Sequence, residues 1–175
     1  MEIRPLDEND AAAYWNLRLE SLQKEPLVFG KAAEEHQATK IEVFADRFHN
    51  ATDDNFTLGA FERDELIGMA TFIREKGIKD RHKGRIYGVY VTTSQRGKGL
   101  GNALLAALLK KAQAIPGLEQ ILLAVAAGQE AAIQLYRKFG FKAFGTEPRA
   151  LKVGSEYVDE MHMLLMLDQS GAHME

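Results

Sequence analysis

The chain has 175 residues, no cysteine, 46% hydrophobic residues and a formal net charge of −3. That length buries one core without disulfides or metals, and the missing cysteine excludes a disulfide framework, a thiolate zinc site and an acyl-enzyme on a Cys nucleophile, and fits a cytoplasmic protein. The slight negative charge gives no reason to bind nucleic acid or an acidic membrane, the acidic opening MEIRPLDENDAA does not read as a signal peptide, and no run approaches the roughly 20 apolar residues of a spanning helix.

Glu2 to Leu6 reads as a short strand, with Asp7 as the N-cap of a helix whose apolar stripe is Trp15, Leu19 and Leu22. Glu25 to Gln37 reads as a loop, and Thr39 with Glu42 forms a capping box before a helix marked by Ile41, Phe44 and Phe48. The pattern then alternates. Phe56, Leu58 and Ala60 lie on one side of a strand, and Ile67, Met69, Thr71 and Ile73 follow the polar turn Arg63-Asp64-Glu65, as in a hairpin. The cationic stretch from Lys76 to Arg85 reads as a solvated loop beside it. A strand from Arg85 to Thr92 leads into a glycine-rich turn and a helix with the rows Leu100, Leu104, Leu108 and Leu105, Leu109, Ala112, which Pro116-Gly117 ends. Gln120 to Val125 is an unbroken apolar run, expected of a strand covered on both faces. A helix from about Gln129 carries Ala132, Leu135, Tyr136 and Phe139 in phase, with Gly140 at C′. Phe141 to Gly145 and Tyr157 to Leu167 are two strands joined by a loop from Thr146 to Glu156. The order is βααβββαβαββ: a single α/β (α+β) domain over residues 1–168, with a mixed, mostly antiparallel central sheet, helices on both faces and a polar tail at 169–175.

The sharpest motif is Gln95-Arg96-Gly97-Lys98-Gly99-Leu100-Gly101, between a strand end and a periodic helix. Alternate glycines leave backbone N–H groups unshielded where the helix N-terminus adds about half a positive charge, and Arg96 and Lys98 add formal charge, so the turn suits a pyrophosphate. A nucleotide P-loop needs Ser or Thr after Gly-Lys, and Gly99 stands there. A dinucleotide fingerprint needs a third glycine, where Asn102 or Leu104 stands. Without a ligand, Gly99 and Gly101 would each penalise the helix start by about 1 kcal/mol relative to Ala.

Arg96 to Gly101 resembles the R/Q-x-x-G-x-G/A coenzyme A signature of the GNAT superfamily of N-acetyltransferases, and about thirty residues on Ala132-Ile133-Gln134-Leu135-Tyr136-Arg137-Lys138-Phe139-Gly140-Phe141 resembles its A-I-x-L-Y-x-K-x-G-F signature. The resemblance implies an acetyl-coenzyme A-dependent transferase, without a metal, acting on an amine. It implies that backbone N–H groups of Arg96, Gly97, Lys98, Gly99, Leu100 and Gly101 hold the pyrophosphate. It also implies that Val89, Tyr90 and Val91 pair with the pantetheine arm where their strand splays from Gln120 to Val125, and that an N–H near Val91 polarises the thioester. Those three residues also suit a plain core strand, and both readings hold together. Tyr136 stands where relatives keep a tyrosine that protonates the departing thiolate, although its phase also suits a core aromatic. Gln129 replaces an asparagine that often meets the cofactor in relatives.

With no cysteine, direct attack of the amine on the thioester is the expected mechanism, and the amine must first lose a proton. Asp159, in alternation with Tyr157, Met161 and Met163, is a candidate base that equally suits an exposed or paired carboxylate. Glu34, Glu35 and His36 are candidates to face the acceptor, or to be solvated. No appended domain recognises a large partner, so a small-molecule amine is expected, with a protein N-terminus or lysine, or a non-catalytic acetyl-coenzyme A sensor, as alternatives; a homodimer is compatible with all of these.

Overall fold

The computed structural model describes residues 1–167; the tail at 169–175 lies outside them. The sheet contains seven strands in the order β1-β2-β3-β4-β5-β7-β6. They are β1 (Glu2–Pro5), β2 (Asn55–Glu62), β3 (Glu65–Arg74), β4 (Lys83–Val91), β5 (Gln120–Ala126), β6 (Lys142–Val153) and β7 (Glu156–Met166). Every neighbouring pair is antiparallel except β4 with β5. The helices are α1 (Ala11–Lys24), α2 (Ala33–Gln37), α3 (Ile41–His49), α4 (Leu100–Gln113) and α5 (Glu130–Lys138).

Local chemistry accounts for most of these boundaries. The Asp7 side chain accepts from the Asn9 N–H while Asp10 reaches back to the Asp7 N–H at 2.9 Å, a reciprocal cap on a short 3₁₀ turn that feeds α1. Arg63 and Asp64 both take positive φ, 48° and 67°, giving the two-residue turn whose twist suits a β-hairpin. Helix α5 ends as the motif predicts: Gly140 at φ 92° donates to Arg137 O, and Phe141 to Tyr136 O.

Apolar residues on the two sheet faces make two clusters. The larger gathers Ile86, Phe72, Ile121 and Met163 with the Leu100, Leu104, Leu108 and Leu105, Leu109, Ala112 rows of α4 and Ile133 and Tyr136 of α5. The smaller packs Leu66, Met69 and Tyr90 against Tyr14 and Leu17 of α1 and Phe44 and Phe48 of α3. Thus α4 and α5 cover one face and α1 and α3 the other. The predicted sheet with helices on both faces is present.

Four local expectations are corrected. The buried stripe of α1 runs through Tyr14, Leu17, Ser21 and Leu22, leaving Trp15 and Leu19 half-buried, because α1 meets α3 and the sheet through that side. Thr39 does not cap α3; its hydroxyl donates to Glu35 O, and Lys40 is the N-cap. The segment from Glu25 to Gln37 contains the extra helix α2, with the Glu35 carboxylate accepting the Ala32 N–H. Finally, Thr146 to Val153 continues β6 along β7. Pro148, which cannot donate to a ladder, sits where the register shifts between Glu147 and Leu151 on this exposed edge strand, so no alternation marks it.

Candidate active site

Strands β4 and β5 pair only from Lys83↔Gln120 to Arg85↔Leu122, after which they part. Beyond that pair, the φ of 59° at Gly88 and the register shift opposite Ala70 identify a β-bulge in β4. A cleft of about 320 Å³ opens there, with Val89 on one strand and Leu123 to Ala126 on the other, Tyr136 and Gln129 from the α5 side, and Arg18 and Phe29 from the α1 side. The gap runs through the sheet. Because the Thr92 N–H donates to Ile67 O at 2.9 Å, alternation turns the Val91 N–H away from β3, into the gap. Val89 and Val91 are half-buried against the larger cluster, whereas the Tyr90 side chain points to the opposite face.

At the mouth of the gap, Gly97 and Gly99 take φ of 76° and 80°, and Gly99 is the N-cap of α4. Nothing lies within 4 Å of where a Cβ would stand on either. The N–H groups of Gly97, Lys98, Gly99, Leu100 and Gly101 find no backbone acceptor among the described residues, which leaves five donors around a helix N-terminus. Arg96 does not add its charge to them. Its guanidinium folds back onto Glu25 at 2.6 Å and Val91 O at 3.1 Å, tying the turn to the end of β4. Lys98 reaches Gln95, and Lys138 of α5, a cation outside the glycine motif, lies 3.0 Å from Asn102 Oδ1 on the first turn of α4. Gly101 differs from the other two glycines: its Cβ position meets Leu135 Cδ2 at 3.5 Å, so it sets the approach of α4 to α5.

Tyr136 is buried in the wall of the cleft and stacks edge-on against Phe141 at 5.9 Å. Desolvation alone pushes its hydroxyl up to about 12. Gln129 stands at the N-cap of α5 and lines the same wall. On the other face, burial and a 2.9 Å hydrogen bond to Glu20 push Tyr90 up to about 12. Burial pushes the Glu20 carboxyl upward, but hydrogen bonds from Thr92, Tyr90 and Lys24 outweigh it and hold it below the usual range.

The structure does not bring the expected base into the cleft. Asp159 is exposed, and its Oδ1 accepts the Arg149 N–H at 2.7 Å, steadying the irregular part of β6 where Arg149 takes φ 52°. Its neighbour Glu160 lines the cleft instead. That exchange follows from the β5–β7 register, which sets Glu160 opposite Ala126 and which no local pattern encodes. Glu34 and Glu35 are exposed, and His36 is buried with Nε2 2.9 Å from Trp15 O, so none of the three faces the gap. Burial lowers the His36 pKa, which makes it a neutral packing histidine. One ligand atom each of Glu147, Glu160 and His162 falls within 4.8 Å of the others on the β6–β7 hairpin. Of the cationic stretch, Lys76, Lys79 and Arg81 are exposed as expected, whereas His82, Lys83 and Arg85 are half-buried, Lys83 and Arg85 lying in β4 with ion pairs to Asp80 and Glu75.

The family model for the acetyltransferase (GNAT) family matches residues 15–141. L-methionine sulfoximine/L-methionine sulfone acetyltransferase of Pseudomonas paraeruginosa is 40% identical over 104 residues, which are 59% of this chain and 60% of that protein. The matched part thus spans about three fifths of that relative. Among solved structures, yncA of Salmonella typhimurium with its cofactor acetyl-CoA superposes with a TM-score of 0.84 at 22% identity, over 98% of this chain and 96% of that one. A phosphinothricin acetyltransferase from Sinorhizobium meliloti in complex with AcCoA gives 0.82 at 21%, over 99% and 91%. With the matched segment taking in most of α1, the splayed strands, the glycine turn and α5, the chain belongs to the acetyltransferase (GNAT) family.

Proposed function

We propose that this chain transfers the acetyl group of acetyl-coenzyme A to the primary amine of a small molecule by direct attack on the thioester. The observation that carries this reading is the parting of β4 from β5 between a turn of five free N–H donors and a buried tyrosine. The turn from Arg96 to Gly101 fits a pyrophosphate, and the free edge of β4 at Val89 and Val91 offers main-chain pairing to an extended pantetheine arm. The thioester supplies the activated acyl group. The Val91 N–H, turned into the gap, donates to the carbonyl oxygen as its charge grows.

The attacking amine must shed a proton from an ammonium of pKa near ~10.4. Glu160 is the carboxylate of the cleft wall, and a water between it and the amine would carry that proton away. Tyr136 donates its hydroxyl hydrogen bond to the leaving sulfur. The relative acting on methionine sulfoximine and the neighbour acting on phosphinothricin support a small acceptor, as does a cleft of only about 320 Å³ lined by Arg18 and Phe29. Incubation with acetyl-coenzyme A and a panel of small amines, following free thiol, should give amine-dependent release. Absence of release with every amine, combined with no thermal stabilisation by coenzyme A, would overturn the reading.

A further inference from the structure

We propose that Arg18 binds a carboxylate on the acceptor, so that the amine acetylated by this chain is that of an amino acid. This rests on the acetyl-transfer reading and narrows its acceptor. Arg18 comes from α1 and lines the cleft on the sheet face opposite the glycine turn, the side left for an acceptor once the donor lies along α4 and α5. Its guanidinium carbon lies 4.6 Å from the Phe29 ring centroid. Its Nη1 stands 3.6 Å from the Cβ position of Gly88, at the bulge in β4. A Cβ on Gly88 would meet that nitrogen in ordinary van der Waals contact, and the φ of 59° is what favours glycine there.

Arg18 Nη1 is closed to solvent and has no hydrogen-bond partner. No carboxylate forms an ion pair with Arg18 among the described residues, and burial lowers its pKa. A planar fork of donors held half-buried without an anion is an unfavourable arrangement for the empty protein, because breaking up or omitting one half of a buried pair leaves an uncompensated charge. Of the acids nearby, Glu20 is committed to Tyr90, Thr92 and Lys24, and Glu25 to Arg96, while Glu160, which lines the same cleft, forms no ion pair with Arg18. Arg47 also has buried unpaired nitrogens, but it rests on the rings of Tyr14, Phe44 and Phe48 at 4.9, 5.3 and 4.9 Å, and three aromatic faces compensate a cation in place. Arg18 has one such ring and an open cleft. A carboxylate docked from the cleft on Nε and Nη2, the guanidinium nitrogens not closed to solvent, in the bidentate geometry guanidinium favours, leaves the amino group of the same molecule directed into the gap between β4 and β5.

Two measurements test this. In calorimetry, protein saturated with coenzyme A is titrated with the genetically encoded L-amino acids and β-alanine, each beside its carboxamide. Thiol release with acetyl-coenzyme A then gives kcat/KM for the same pairs. At least one acid should bind and react at least about tenfold better than its amide. Arg18→Gln should bring that pair within about threefold and leave coenzyme A affinity within about twofold, while Arg18→Lys restores part of the preference. The ligand-free Arg18→Gln protein should melt close to the wild type, since the charge removed has no anionic partner and a single ring contact; a clear drop in Tm, or a preference that survives the substitution, marks Arg18 as structural and overturns the proposal. Turnover of amines with no acid preferred over its amide refutes the carboxylate site alone. Carboxylate binding lost in Arg18→Gln, without turnover of any amine, refutes acetyl transfer and leaves the site standing.

Discussion

Burial raises the Tyr136 hydroxyl to about 12, and this sets what it can do for a departing thiolate. It is protonated throughout the neutral range, yet it is a weaker acid than a thiol of pKa near ~8.5, so full proton transfer to sulfur runs uphill. Its proposed part is therefore a hydrogen bond that strengthens as charge reaches the sulfur. Tyr136→Phe should lower single-turnover thiol release by about 10²-fold, the low end for a general acid, and leave acetyl-coenzyme A affinity nearly unchanged, because the ring stays packed on Phe141. The wild-type rate should show no alkaline fall from this group below about pH 11, since the hydroxyl ionises only as pH rises through the raised value. Equal rates in the two proteins would reduce Tyr136 to packing. Glu160→Gln should lower kcat, with a smaller effect from Asp159→Asn, whose carboxylate serves the Arg149 N–H; equal effects would remove Glu160 from the proton path.

The glycine turn separates into two kinds of position. Gly99 has its Cβ direction open and its φ at 80°, so any L-residue there meets both backbone strain and an approaching phosphate, whereas Gly101 faces Leu135. Asparagine tolerates the left-handed region best, so Gly99→Asn should destabilise the fold by less than about 1 kcal/mol. It should weaken coenzyme A binding at least about tenfold by calorimetry. Gly101→Ala should leave binding within about threefold and melt near the wild type; the opposite ranking would place the phosphates elsewhere. The turn was legible in the sequence because its chemistry is local: glycines, a strand before and a periodic helix after. So was the end of α5 at Gly140. The β4 bulge at Gly88 was not, since a single glycine inside a strand names no partner, and α2 is too short for a period to register. Glu160 and Arg18 escaped for a third reason. Their place in the cleft depends on β5–β7 register and on where α1 crosses the sheet, and only the folded chain joins these.

Across the whole molecule, two clusters share one sheet, and ligands and pH should act on it as a unit. Coenzyme A at a hundred times its dissociation constant should add about 2.7 kcal/mol, a rise in Tm of about 5–10 °C for a chain of this size. A smaller rise at that concentration would point to binding by the unfolded chain. Acid should act through Asp10: the Arg4 hydrogen bonds at 2.6 and 2.9 Å outweigh burial and hold its carboxyl below the ordinary value. A depressed carboxyl stabilises the fold above its unfolded pKa, near ~3.9, and that contribution is lost as pH falls through the folded value. Denaturant-measured stability should therefore fall more steeply between pH 6 and pH 3 for the wild type than for Asp10→Asn. A parallel pair of curves would mean that Asp10 has no part in acid sensitivity. The gap between β4 and β5 carries one more consequence. An opening that passes through a sheet has two entrances, so donor and acceptor can occupy the protein together and neither must leave before the other arrives. Initial rates measured over a grid of both concentrations should then give intersecting double-reciprocal lines. Parallel lines would mean that the acetyl group rests on the protein between two separate visits.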